Sequence, residues 1–415
     1  MAAIPREPGL DHTLALLSEG YLFIPNRVRR FQSDIFETRL MFSPVVCLHG
    51  AEAAGEFYAP DRFTRQGAMP PTILRLLQGQ GSVQSLDGLA HRWRKRMFLD
   101  IVRPEAVERL VEAFEAEWHA RVPRWEGQDQ VVLFPEVEDL LTRAVCRWAG
   151  CPLTEDEAPQ RAEEFSAMIS GAGAIGPRFV HGLRLRRRTE RWAADLIEGT
   201  REERVMPPPD SALAIIARHR GEDDRLLDTR VAVLELLNIL RPTVAVGRFI
   251  VFAALALHDH PHSRDLAASG DDADLECFAQ EVRRFYPFFP FVGGRVLQPF
   301  EWRGHQFKEK DWVILDLYGT NHDPRLWEEP ESFRPERFRD WSGDPNTFIP
   351  QGAGDHASGH RCPGERTTIE LMKRASALLA TLDYEVPAQN LCVDLAHLPA
   401  EPESRYIITR VRRRG

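Results

Sequence analysis

Pro350-Gln-Gly-Ala-Gly-Asp-His-Ala-Ser-Gly-His-Arg-Cys-Pro-Gly-Glu-Arg366 is a glycine-rich loop that delivers one cysteine, Cys362, to the start of the helical pattern Thr367-Thr-Ile-Glu-Leu-Met-Lys-Arg-Ala375. A thiolate is the metal-binding form of cysteine, and the free N–H groups and dipole of a helix N-terminus lower a thiol's pKa. Glycines let the backbone approach a large flat ligand, and Pro363 removes one N–H from the sulfur's surroundings. Taken alone, the loop suits a buried, inert cysteine beside a tight turn equally well. Three further segments decide between the two.

The composition around the loop is that of an ordinary globular chain, 415 residues with 43% hydrophobic and 28% charged. Lys+Arg 53 against Asp+Glu 62 leaves a net charge of −9, which gives no electrostatic support for a nucleic-acid partner. Cysteines at 47, 146, 151, 277, 362 and 392 form no Cys-x-x-Cys pair, against both a zinc site and a secreted disulfide framework. Val231 to Leu257 is the longest apolar run, but Glu235, Asn238, Arg241 and Arg248 make it too polar for a membrane span. The N-terminus has no apolar signal core, so a cytoplasmic protein without a membrane anchor is expected. Val205-Met-Pro-Pro-Pro-Asp-Ser211 is the one linker-like cluster and is too short to separate two bodies, so residues 1–415 are expected to form a single domain.

Helical periodicity dominates over Glu105–Trp125, Glu155–Ser170, Arg187–Arg204, Asp228–His258, Leu275–Tyr286 and Thr367–Leu382. Asp34–His49 has the alternation of a hairpin, and Arg405-Tyr-Ile-Ile-Thr-Arg-Val-Arg412 that of a closing strand. The expected class is mainly α with minor β: a large helical body, with strands near 30–60 and at the C-terminal end. Gly171-Ala-Gly-Ala-Ile-Gly176 has the spacing of a dinucleotide fingerprint but follows a helical pattern, not a strand. His258-Asp-His-Pro-His262 ends a long helix, where capping accounts for it. Arg184, Arg186, Arg187, Arg188 and Arg191 are expected to form a solvated helix face.

Glu281-Val-Arg-Arg284 places Glu281 and Arg284 on one helix face, and Asp323 to Phe338 is a proline-punctuated segment containing Pro335-Glu-Arg-Phe338. A Glu-x-x-Arg helix, then Pro-Glu-Arg-Phe, then a cysteine loop opening a helix resembles the cytochrome P-450 (haem-thiolate) family across essentially the whole chain. That resemblance implies the P-450 fold, haem b as cofactor and Cys362 as axial ligand of the haem iron. It also implies a structural triad of Glu281, Arg284 and Arg337. His91 and Lys95, four residues apart, match positions whose cations meet the haem propionates, with His360 and Arg295 as further candidates.

Two departures from the usual family pattern narrow the branch. Phe348 lies fourteen residues before Cys362, twice the usual family spacing. In oxygen-activating members the long central helix carries an acid and an alcohol that relay protons; here Leu236-Leu-Asn-Ile-Leu-Arg-Pro-Thr-Val-Ala245 puts Arg241 and Pro242 in their place. Pro242 removes the bond to the Asn238 carbonyl, so a local opening of the helix is expected there. Glu235, Asn238, Arg241 and Arg248 also fit a single solvated polar stripe. The Arg-Pro pair resembles the fatty-acid peroxygenase branch, in which an arginine above the haem clamps the substrate carboxylate.

That resemblance implies a long-chain fatty acid and hydrogen peroxide as substrates, with no redox partner. Arg241 would hold the head group in a bidentate, charge-assisted pair, which brings the alpha and beta carbons within reach of oxidation. The carboxylate itself would take a proton from peroxide and return it to the leaving oxygen. Gln84 matches a distal-pocket position that is His in strongly decarboxylating members, so hydroxylation should exceed alkene formation. Phe288 and Phe289, in Phe288-Phe-Pro-Phe291, are expected to line the acyl channel and look more like alpha-hydroxylating members. Two rival readings stay open: a dioxygen monooxygenase fed by redox partners, with Thr243 as relay alcohol, and a non-catalytic haem- or acyl-binding protein.

Overall fold

Long amphipathic stretches fold as helices around one apolar interior, and the computed structural model, which describes residues 4–414, is 52% helical and 12% strand. Leu133–Ala149 shows why. Val137, Leu140, Leu141, Ala144 and Val145 recur at helical spacing and are all buried, and Gly150, in the left-handed region at φ +74°, ends the helix. The expected helices appear as Pro104–Glu126, Ala158–Ala172, Pro177–Arg201, Asp272–Phe285 and Glu365–Ala380. Leu133–Ala149 and Gly88–Ile101 are additional to those read from periodicity.

The central apolar run differs from its expectation in one respect. It is two helices, Thr229–Ala245 and Gly247–Asp259, parted at Val246, and the assigned helix runs unbroken through Pro242. The expected opening at Asn238 is therefore absent, and the break in the helix comes at Val246, one turn after the proline. The run packs as a core element, 89% of its most apolar window buried. Gly176 caps the helix that opens at Pro177, so Gly171–Gly176 is a helix–helix corner. His260 sits at the joint between the helix ending at Asp259 and that starting at Pro261.

Among the described residues ten strands form three small sheets: β1 Ile35–Leu40, β2 Ser43–Leu48, β3 Phe63–Thr64, β4 Gln130–Val132, β5 Phe291–Val296, β6 Phe300–Trp302, β7 His305–Phe307, β8 Trp312–Asp316, β9 Leu382–Glu385 and β10 Ile407–Arg413. The largest has the order β1-β2-β8-β5-β3, with β2 and β8 parallel and the other pairs antiparallel. The hairpin and the closing strand lie where the sequence places them. The confinement of strands to 30–60 and the C-terminal end needs correction, because β5 to β8 occupy 291–316. All five β8 residues are buried, so that strand has no polar–apolar alternation to reveal it.

Candidate active site

Two glycines shape the cysteine loop. Gly352 and Gly354 sit at φ +97° and +76°, and a Cβ at either would come within 3.0 Å of Tyr58. The loop then turns so that Cys362 N–H donates to the Gln351 carbonyl at 3.2 Å, just before the helix that starts at Glu365. The Gln351 amide nitrogen lies 3.8 Å from Cys362 Sγ and donates to Thr368 Oγ1 at 3.1 Å. Burial pushes the Cys362 thiol up, only partly offset by the Gly364 N–H. The helix start does lower it, as expected, but burial outweighs that effect, and in these surroundings the sulfur needs a positive partner to ionise fully.

Beneath the loop the Glu-x-x-Arg helix closes on itself. Arg284 donates from Nε and Nη2 to the two Glu281 oxygens at 2.8 Å each, with both residues fully buried. Arg337 Nε stands 3.2 Å from Glu281 Oε2, and Arg284 Nη1 donates to the Asn321 and Pro330 carbonyls. The structure thus brings together all three proposed triad side chains. It adds Arg283, buried, which reaches Glu365 at 2.5 Å and Gln351 Oε1 at 3.2 Å, tying the triad helix to the cysteine loop. Burial opposes ionisation of Glu365, but Arg283 and Arg361 outweigh it and hold the carboxyl down at about 2.

A third group consists of side chains able to carry positive charge. His91 and Lys95 come from one helix, Gly88–Ile101, and both are buried. Lys95 Nζ donates to the Gly359 and Arg361 carbonyls of the cysteine loop, and the His91 and His360 rings lie 4.0 Å apart. Arg65, buried and donating to the Gly293 carbonyl at 2.9 Å, stands among them. Burial pushes Lys95 down to about 8, and burial with repulsion from Lys95 and Arg65 pushes His91 to about 4 and His360 to about 2. Asp87, 4.0 Å from His360 Nε2, is the one carboxylate paired with this set among the described residues. Lys95 and Arg65 as cations, with two neutral imidazoles able to donate an N–H, lie beside the cysteine and fit a flat ligand carrying two carboxylates, as haem does. Arg295 does not join them: its bonds run to the Gly67 and Lys310 carbonyls, and it lies over Trp312.

On the central helix, the stripe Glu235, Asn238, Arg241 and Arg248 is buried throughout, so the solvated alternative is corrected. Arg241 donates to the Leu77 carbonyl, to the Leu76 carbonyl at 3.5 Å and to Asn238 Oδ1 at 3.2 Å. None of these is an anion. Burial, with Arg186 nearby, lowers its pKa to about 9, still protonated at neutral pH. Arg186 itself is buried and held by Glu190 and the Arg75 carbonyl, which removes it from the solvated face assigned to its helix. Gln84 Oε1 accepts from Asn238 Nδ2 at 3.1 Å. Thr243 Oγ1 donates to the Ile239 carbonyl one turn back at 2.8 Å. Phe288 stacks on Phe249 at 4.2 Å and meets Phe289 edge-on at 4.7 Å, Phe289 being 45% exposed.

Arg65, Arg283 and Gln351 had not been singled out in the sequence. Arg65 has no spacing relation to the other cations, whereas Arg283 could have been flagged as a second arginine inside the Glu-x-x-Arg motif.

The Cytochrome P450 family profile matches residues 275–390. Among solved structures, cytochrome P450SP alpha (CYP152B1) in complex with (R)-ibuprophen is 47% identical, with a TM-score of 0.95 over 98% of this chain and 100% of that one. Cytochrome P450EX alpha (CYP152N1) with myristic acid is 40% identical, with a TM-score of 0.96 and full coverage of both chains, 100% each. A variant of cytochrome P450 OleT in complex with arachidonic acid is 34% identical, with a TM-score of 0.97 over 100% and 99% of the two chains. A more distant relative, cytochrome P450 716A2 of Arabidopsis thaliana, is 25% identical over 95% of this chain and 89% of its own length.

Proposed function

The chain belongs to the cytochrome P450 family, which binds haem b through a cysteine thiolate, and from that premise we propose an oxidoreductase that uses hydrogen peroxide to hydroxylate long-chain fatty acids at the alpha carbon, with the beta carbon next in reach. Cys362 would hold the haem, His91, Lys95, His360 and Arg65 would face its propionates, and the group bound there would supply the oxidising centre. The observation that carries the reading is Arg241: a buried guanidinium whose partners are two carbonyls and an amide. Such a group costs several kcal/mol to desolvate, and a carboxylate is the partner that restores it. A long alkyl tail then adds about 0.8 kcal/mol for each buried methylene, with Phe288 in the channel wall.

Arg241 orients the acid so that its carboxylate, in place of a protein acid, accepts a proton from peroxide and returns it to the departing oxygen, releasing water. Gln84 offers no titratable proton beside this exchange, which favours the hydroxy acid over the alkene. In line with this reading, two of the similar structures hold fatty acids, myristic and arachidonic. The monooxygenase rival relies on Thr243, whose hydroxyl is spent on its own helix.

The test supplies purified, haem-loaded protein and myristic acid with either peroxide or a reductase system and dioxygen. Hydroxy acid formed with peroxide alone is expected, and Arg241→Ala should abolish it. Product only with the reductase system overturns the reading in favour of the rival, and product from neither leaves a binding protein.

A further inference from the structure

Something must aim the Arg241 guanidinium, and the chain's own hydrogen bonds identify it. Glu235 is fully buried on the central helix, on the same face as Asn238. Its Oε1 accepts from Arg94 Nη1 at 2.5 Å and from the Val83 N–H at 2.9 Å, and its Oε2 accepts from Asn238 Nδ2 at 3.0 Å. Asn238 Nδ2 also donates to Gln84 Oε1 at 3.1 Å, while Asn238 Oδ1 accepts from Arg241 Nη2 at 3.2 Å.

An amide has one accepting end and one donating end. With a carboxylate on one side and a guanidinium on the other, the Asn238 amide has one orientation without a clash: nitrogen toward Glu235, oxygen toward Arg241. Turned over, it would set donor against donor at Arg241 and acceptor against acceptor at Glu235. The Val83 N–H bond meanwhile fixes the short turn Val83–Ser85 that carries Gln84. One carboxylate therefore sets both neutral amides beside the clamp.

We propose that Glu235 is a positioning residue for substrate: it locks the Asn238 amide and the Gln84 turn, and so sets the direction in which Arg241 meets the acid's carboxylate. It acts through Asn238 and touches no substrate. The proposal rests on Arg241 being the carboxylate clamp.

Glu235→Gln tests it closely. The new side chain keeps an oxygen for Val83 and Arg94 but turns an amide nitrogen toward Asn238, which must rotate and present its own nitrogen to Arg241. Calorimetric titration of the haem-loaded protein with myristic acid should show Kd rising about ten- to hundredfold, the worth of a charge-assisted hydrogen bond. Peroxide turnover at saturating acid should change much less, so KM and kcat separate. In an Asn238→Ala background the same substitution should shift Kd by less than about threefold, because its route to Arg241 is gone. An unchanged Kd for E235Q, or an equal shift in both backgrounds, overturns the proposal. Asn238→Ala alone leaves the Glu235–Arg94 pair in place and serves if E235Q does not fold; an unchanged Kd there is equally fatal. Arg241→Ala separates the two levels. Unchanged binding in that variant sinks the clamp and this proposal together, whereas weakened binding there with a normal E235Q sinks only this one.

Discussion

Around the cysteine loop, each buried carboxylate closes on arginines of the chain: Glu281 on Arg284 and Arg337, and Glu365 on Arg283 and Arg361. On the central helix, Arg241 is just as deeply enclosed and has no carboxylate partner among the described residues. The first arrangement is complete within the chain and holds a frame. The second leaves a cation open to an anion from outside. A buried guanidinium is therefore not one kind of object, and its partners separate support from function.

Breaking the closed side should have the largest effect. Glu281→Ala leaves Arg284 buried without its counter-ion, so a stability loss of about 3–5 kcal/mol is expected, together with poor haem retention. Urea unfolding and haem content measure both, and a loss under about 1 kcal/mol would erase the distinction between the two regions.

Opening the other side further should behave differently. Arg241→Met should weaken fatty-acid binding by about 10²–10³-fold, as expected for truncating one partner of a buried charge pair. Its melting temperature should hold or rise, because an apolar side chain replaces an uncompensated buried charge. A drop like that of Glu281→Ala would show that Arg241 belongs to the frame after all.

A third measurement sharpens the closed side through pH. His49 lies between Asp316 at 2.9 Å and Asp323 at 3.2 Å, in a cluster with Arg325 and Asp34 that ties β2 to the segment after β8. Burial disfavours its charge, but the two aspartates outweigh this and raise it from 6.5 to about 9. A raised histidine stabilises the fold fully below pH 6.5 and loses that contribution as pH climbs through about 9. The midpoint of denaturant unfolding should fall across that window, and His49→Gln should flatten the slope. An unchanged slope in the variant would assign the pH dependence elsewhere.

The smallest expected effect is on product choice. Gln84→His puts a titratable group next to Asn238 and should raise the alkene share of the products by a few-fold, measured by product analysis after peroxide turnover. No change in that share would remove Gln84 from the proton economy of the site.

The helices were largely readable because their apolar stripes face the core, and the hairpin because β1 alternates in a segment rich in Phe, Val and Ile. β8 was not, since a strand covered on both faces carries no period, and β5 has Gly293 and Gly294 at its centre and no regular alternation. The Cys362, Glu281–Arg284 and Arg337 segments were visible as local patterns. Arg186 was misread for the opposite reason: four neighbouring arginines on its helix suggested solvent, yet the packing of Arg75 and Glu190 encloses that one. Arg65 carried no signal at all, because only the pairing of β3 with β5 brings it beside His91 and His360. The direction of the Asn238 amide belongs to the same class, being set by three partners at once, Glu235 and Arg241 one turn to either side and Gln84 far away in the chain.

The close seating of the cysteine loop on Tyr58 has a consequence for variation. At 352 and 354 a left-handed backbone and a neighbour within 3.0 Å each disfavour a side chain, so relieving one constraint leaves the other in force. In a saturation library both sites should return glycine alone. Substituting Tyr58 by something smaller would not widen that choice, because the backbone constraint remains. The loop can therefore drift in its polar residues but not in these two, which makes them fixed points against which natural or laboratory change elsewhere in the loop can be timed.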